Sequence, residues 1–162
     1  MAFMLLLTLL AWQPAAATDL TNYAENKIVD HIFRATAFSE TTPASYYVSL
    51  HSTACSDSAN GTELAGGSYA RTAIARSTAA WLGTHGSATG ASSGTNGTIS
   101  NAAAITLPTA TADWTTATHW EIFDASTAGN AIICSALTAS RTITNGATAS
   151  FAIGALTIQI DN

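Results

Sequence analysis

Charge is scarce in this chain. Lys and Arg together number 5 and Asp and Glu 10, so charged residues make up only 9% of 162. The cations, Lys27, Arg34, Arg71, Arg76 and Arg141, are scattered. No basic stripe is present to neutralise phosphates, which argues against direct nucleic-acid binding. No polybasic segment offers itself to anionic lipid. Cysteine is nearly absent. Cys55 and Cys134 cannot make a disulfide framework, and their spacing is not that of a metal knuckle. The expectation is two free thiols, one buried in a strand; a single bridge stays open. Large apolar side chains are few as well. Apolar residues are 48% of the chain, but 34 of them are Ala, and nine of the larger ones fall within the first twelve positions. What remains is a thin core, which subunit contacts would help. Intrinsic disorder would need a high net charge, and here it is only −5. Ala, Thr (26) and Ser (16) together supply nearly half the residues, so the surface is polar without being charged. The length is that of one domain and too short for a large multi-step enzyme.

The one long apolar run is at the start. Met1 to Trp12 (MAFMLLLTLLAW) is followed by Gln13, Pro14 and Ala15-Ala16-Ala17. Small residues after a short apolar run look like a signal peptide with an A-x-A site, although no Lys or Arg precedes the run. At about twelve residues it is too short to span a bilayer. Residues 1–17 are therefore read as a signal-like segment or as an apolar arm that packs on a neighbouring subunit. Residues 18–162 are read as the folded domain.

Asp19 to Phe33 is the one clear helix. Leu20, Tyr23, Ala24, Ile28 and Ile32 recur at spacings of three and four and give a single apolar stripe. Thr18, Asp19 or Thr21 can cap it, and Lys27 can pair with Asp30. Beyond Arg34 the pattern is β-like. Ser45–His51 alternates, with Tyr46, Val48 and Leu50 on one face, and Ser68–Arg76 alternates again. Cys55–Gly67 is rich in turn-formers. Gly83–Gly97 holds five glycines and no apolar period, and reads as an exposed, tolerant surface loop. Ile99–Leu107 is weakly strand-like and ends at Pro108. Thr118–Phe123 is a stronger strand, with Trp120 and Ile122 facing in, or His119 and Phe123 if the register flips. Ala131–Leu137 suits a central strand. Asn145-Gly146, between Arg141–Thr144 and Ala147–Ala152, is the strongest hairpin signal, with positive φ expected at both positions. Leu156, Ile158 and Ile160 alternate in a last strand, with Gly154 as a bulge or bend before it. Seven or eight short strands without β-α-β alternation predict a mainly β fold. The expected form is an antiparallel, jelly-roll-like β-sandwich preceded by one amphipathic N-terminal α-helix. Repeats and heptads are absent, so the chain is not by itself a long fibre shaft.

Chemistry-bearing motifs are missing. No Gly-rich phosphate loop opens a helix, and neither G-x-S-x-G nor H-E-x-x-H occurs. The best acid–base cluster is His119, Glu121 and Asp124, with His51 and Asp57 elsewhere. His119 and Glu121, two apart on one strand face, can bind a metal or share a proton. The plainer reading makes them the solvated face of a strand whose other side is Trp120 and Ile122. His31 lies on the wet side of the helix, and His85 has no partner near in sequence. Trp81, Trp114 and Trp120 offer a sugar-stacking platform or, more simply, fill a core short of large apolars. Asn60-Gly61-Thr62 and Asn96-Gly97-Thr98 match the glycosylation sequon, as chance allows in so Thr- and Gly-rich a chain.

Five stretches are familiar together. They are LTNYAENKIVDHIFR (Leu20–Arg34), GGSYAR (Gly66–Arg71), TISNAAAITLPTATADW (Thr98–Trp114), HWEIFDA (His119–Ala125) and ALTASRTITNGATASFAIGAL (Ala136–Leu156). In order and spacing the chain resembles small tailed-phage virion structural proteins commonly labelled phage tail-fibre proteins. The resemblance implies a β-rich virion surface protein with no catalytic, cofactor or metal residues to carry over. The apolar N-terminal segment and an expanded Gly83–Gly97 loop depart from the pattern. The expectation is a non-enzymatic virion protein, assembled in a bacterial cytoplasm. It contacts capsid or tail subunits and forms a homo-oligomer, with a trimer favoured. Small size and the lack of a repeat put capsid decoration (cement) first and a tail-fibre or receptor-binding component second. A secreted carbohydrate-binding module is the reading if residues 1–17 are a signal peptide.

Overall fold

The computed structural model of the chain describes residues 10–12, 16–17, 19–34, 43–83 and 97–160. The start of the apolar arm, Thr18, the Gly83–Gly97 loop between its end glycines (with His85 and Asn96) and the last two residues lie outside the described residues. The elements in chain order are β1 (Leu10–Trp12), β2 (Ala16–Ala17), β3 (Asp19–Leu20), α1 (Asn22–Phe33), β4 (Ser45–His51), β5 (Thr72–Ala75), β6 (Trp81–Leu82), β7 (Thr98–Asn101), β8 (Ile105–Thr109), β9 (Thr116–Phe123), β10 (Ala131–Thr142), β11 (Thr148–Phe151) and β12 (Thr157–Gln159). The fold is mainly β, with one helix near the N-terminus. A five-stranded antiparallel sheet runs β3-β10-β9-β4-β5, a four-stranded sheet β2-β12-β7-β6, and a three-stranded sheet β1-β11-β8. The two short N-terminal strands add in parallel, β1 on β11 and β2 on β12.

Period-2 alternation places the core. Val48 and Leu50 of β4, Trp120 and Ile122 of β9 and Ile133 of β10 form one buried cluster with Leu107 of β8, Phe151 of β11 and Ile158 of β12. All three sheets therefore contribute to one core, as a chain with few large side chains requires. Trp114 and Trp120 are core fillers; neither presents a face to a sugar.

Thr21 caps α1. Its hydroxyl accepts from the Ala24 N–H at 3.3 Å and donates to the Ala131 carbonyl at 2.6 Å, which fixes the start of the helix on β10. The apolar stripe then leaves the body. Only Ala24 is buried, while Ile32 and Phe33 are 62% and 79% exposed. Helical periodicity was legible, but only the start of the stripe, Leu20 and Ala24, packs on the described part of this chain. Asp30 pairs with Arg34 at 3.4 Å, one turn on, and Lys27 lies over the Tyr23 ring instead of pairing with Asp30.

Several strand expectations are corrected. Ile99–Leu107 is two strands in two sheets, and β8 continues through Pro108 to Thr109. Pro is tolerated there because among the described residues β8 is an edge strand whose ladder runs only to β11. Ser68–Arg76 contracts to β5. Ala131–Leu137 and Arg141–Thr142 are one twelve-residue strand, with a register shift between Ala136 and Arg141.

Asn145-Gly146 makes a tight turn, closed by Ala147 N–H to Thr144 C=O at 2.9 Å, but positive φ is found only at Gly146 (82°). That is type II geometry rather than the hairpin type I′. Accordingly β10 and β11 do not pair; they enter different sheets. Gly154 (φ 74°) sits in an equivalent turn, Ala155 N–H to Ala152 C=O at 3.0 Å, which carries the chain from β11 to β12 in the next sheet. Both glycines turn corners between sheets.

Candidate functional site

The outer face of the five-stranded sheet carries an unexpected polar cluster. The β4/β9 register pairs Ser49 with Glu121 and His51 with His119. With Val48, Leu50, Trp120 and Ile122 turned to the core, alternation sends Ser49, His51, Glu121 and Phe123 to the opposite side. That side is not solvated. Residues 52–67 fold back over it, held by Ser52 N–H to Thr62 C=O at 2.8 Å and Leu64 N–H to Leu50 C=O at 2.9 Å. The Cys55–Cys134 disulfide ties this covering segment to β10. The expectation of two free thiols is thereby corrected, because Cys134 pairs with Glu121 on the face that Cys55's loop covers. The solvated-face reading of Glu121 is corrected too: it is 0% exposed.

Ser49 Oγ lies 2.8 Å from His51 Nε2 and donates to the Glu121 carbonyl at 3.1 Å. With that proton committed, the 2.8 Å contact requires Nε2–H to donate to Ser49. Nδ1 then faces Glu121 Oε1 at 3.3 Å without a proton of its own and without hydrogen-bond geometry. Oε1 accepts the Gly61 N–H at 2.6 Å, and Oε2 has no partner among the described residues. Burial pushes the Glu121 carboxyl up to about 7, against the opposing pull of the Gly61 N–H. Burial also pushes the His51 imidazole below its ordinary value. A neutral imidazole beside a neutral carboxyl is the least costly state of so buried a pair. Gly61 is required here. A Cβ at this position would collide with the Thr53 carbonyl and stand 3.2 Å from Glu121 Oε1.

Around this array a second set of polar groups closes the rim. Arg71 donates to both Glu63 oxygens at 2.9 and 2.8 Å, and to the carbonyls of Ala125 and Ala128 at 2.9 and 2.8 Å. Its guanidinium lies 3.6 Å from the centroid of Phe123, which itself stacks on His51. Burial works to raise the Glu63 carboxyl, but Arg71, with help from Tyr69, outweighs it and holds the group below its ordinary value. The Tyr69 hydroxyl donates to Glu63 at 3.1 Å and accepts from the Leu50 N–H at 2.9 Å. Burial drives its pKa upward.

A serine, a histidine and a carboxylate in line have the order of a nucleophilic relay. Here Ser49 and His51 are 0% and 1% exposed, and the serine proton is turned to a backbone carbonyl. In this arrangement the array fixes the covering segment and is closed to substrate. Of the residues singled out by sequence, Glu121 and His51 meet. His119 instead places Nδ1 2.8 Å from the Thr118 hydroxyl. Asp124 accepts from Asn130, Asp57 lies exposed in the covering segment, and His31 is exposed on α1. Among the described residues no group of three or more His, Cys, Asp or Glu stands ready for a metal ion. Ser49, Glu63, Tyr69 and Arg71 were missed. The alternation in Ser45–His51 was the available signal, since it put Ser49 and His51 together on the face opposite Leu50.

A separate feature is an apolar cavity of about 440 Å3 between the five-stranded and four-stranded sheets. Ile122 and Ile133 form one wall and Trp81, Ile99 and Ile158 the other, with Arg76 beside them.

The fold and the cluster define a mainly β module whose polar array is enclosed beneath a disulfide-tethered segment. The family model that matches it is described as Podophage GP4 fiber I protein gp80, over residues 19–159. That is most of the chain, and the protein belongs to this family of phage fibre proteins. A search of curated proteins finds no match. No helix of the described residues is long and apolar enough to cross a membrane.

Proposed function

We propose that the protein is a non-enzymatic subunit of a podophage fibre, working as a rigid β-module that packs against other virion proteins and against copies of itself, with a trimer favoured. The family match over residues 19–159 carries the fibre part of this reading, and the thin core motivates the self-association. The match favours the tail-fibre placement that sequence size and the absence of repeats had put second. Two further observations support a packing role. The apolar end of α1, Ile32 and Phe33, faces outward, which suits an inter-subunit contact. The polar cluster is sealed by a disulfide-tethered segment, which suits a particle that must persist outside a cell. A Cys55–Cys134 bond closes in oxidising surroundings, so on this reading it forms after release from a reducing host cytoplasm. Capsid decoration remains the second reading, favoured by a chain without repeat or heptad. Labelling the protein in intact particles and locating the label by electron microscopy separates the two: density along the fibre supports the first, a lattice over the head the second.

A further inference from the structure

The apolar cavity between the two larger sheets plays no part in the sealed cluster. We propose that it is a binding site for a single hydrocarbon chain ending in a carboxylate, with Arg76 holding the head group at its rim. At about 440 Å3 it falls in the range of small-molecule pockets, roughly 300–1,000 Å3. Its walls are aliphatic and aromatic side chains, among them Ile99, Ile122, Ile133, Ile158 and Trp81. A peptide or sugar placed there would leave its N–H, C=O or hydroxyl groups without partners, at a cost of a few kcal/mol for each. A hydrocarbon chain has no such groups. Among the described lining residues, polar side-chain groups belong to Tyr46, Arg76, Ser77, Thr78 and the Trp81 indole, so an occupant needs one polar end only.

Arg76 sets the sign of that end. It lies beside Tyr46, where its charge works to lower the phenol's pKa, is exposed, and has no carboxylate partner within 4.0 Å among the described residues. A guanidinium with free N–H groups takes a carboxylate in bidentate fashion. Ile160, 58% exposed, lines the cavity as well, an apolar side chain left in water that a hydrocarbon chain would cover. The inference concerns the chain itself and stands apart from where in the virion the protein sits.

The test is titration of the purified full chain with sodium decanoate, followed by calorimetry and by tryptophan fluorescence, with decanol as the neutral control. The expected result is saturable binding of one decanoate per chain. Arg76→Gln should weaken decanoate by roughly tenfold and leave decanol unchanged. Ile99→Trp, which fills the cavity, should abolish both. Arg76 is exposed, so its variant keeps the test valid if Ile99→Trp fails to fold. The proposal is overturned if no saturable binding is seen up to about 1 mM, or if decanoate binds and Arg76→Gln leaves its affinity unchanged.

Discussion

Glu121→Gln tests the account of the sealed cluster. The folded-state carboxyl has a pKa of about 7, against 4.5 for the ordinary group. Between those values the unfolded chain ionises while the folded chain keeps its proton. Stability from this group is therefore fully present below pH 4.5, falls as pH rises towards 7 and is flat above it. At about 1.4 kcal/mol per pH unit the whole loss is about 3 kcal/mol. His51 acts in the opposite direction. Its folded value lies below the ordinary 6.5, so its contribution is lost as pH falls through the folded value. Gln keeps an acceptor for the Gly61 N–H, places its amide NH2 where Oε2 stands, and cannot ionise. The variant should match the wild type near pH 4.5 and exceed it at pH 8, by up to about 3 kcal/mol or roughly 5–10 °C in Tm. Thermal denaturation followed by circular dichroism across pH 4.5–8 reads this directly. A variant less stable than wild type at pH 8, together with a wild type whose stability does not fall between pH 4.5 and 7, would show an ionised, well-solvated Glu121 and refute the reasoning.

Three further outcomes follow from the same geometry. The Cys55–Cys134 bond closes a loop of 79 residues in sequence separation, so Cys55→Ser should cost about 4 kcal/mol in the chain-entropy picture; an unchanged denaturation midpoint, or two titratable thiols in the unreduced unfolded chain, would remove the bond from the account. Gly61→Ala should cost about 2 kcal/mol or more, because the added methyl meets the Thr53 carbonyl and crowds Glu121; a Tm within a degree of wild type would mean the covering segment is loosely held. Gly146→Val, at φ 82°, should cost about 1 kcal/mol or more from backbone strain alone, since nothing lies within 4 Å of its Cβ position; a neutral result in urea denaturation would show that the turn relaxes freely.

Strand positions were largely legible because period 2 is a local property. Ser45–His51 was read to the residue, and Thr118–Phe123 lies within β9. What failed was pairing. Asn145-Gly146 is a local turn signal, yet the contacts that decide its geometry come from afar: Asp113 accepts the Asn145 N–H at 2.7 Å and the Ala110 carbonyl the Gly146 N–H at 2.7 Å. The polar cluster was hidden for the same reason. That Glu121 is buried depends on a segment some sixty residues earlier folding over it, and that segment's one large apolar side chain is Leu64. A strand with polar residues on one face reads as half-solvated whenever its cover is built from glycine, threonine and a disulfide. The helix was legible from its stripe, but a stripe does not say what covers it, and Ile32 and Phe33 stay exposed.

The central claim, that this is a structural subunit of a phage fibre, is tested most directly by quantitative mass spectrometry of purified particles, fractionated into heads and fibre-bearing tails. The account predicts peptides from residues 19–159 in the tail fraction, at a copy number that is a multiple of three per fibre. Recovery with the heads at capsid-lattice stoichiometry, or absence from the particles altogether, would contradict it.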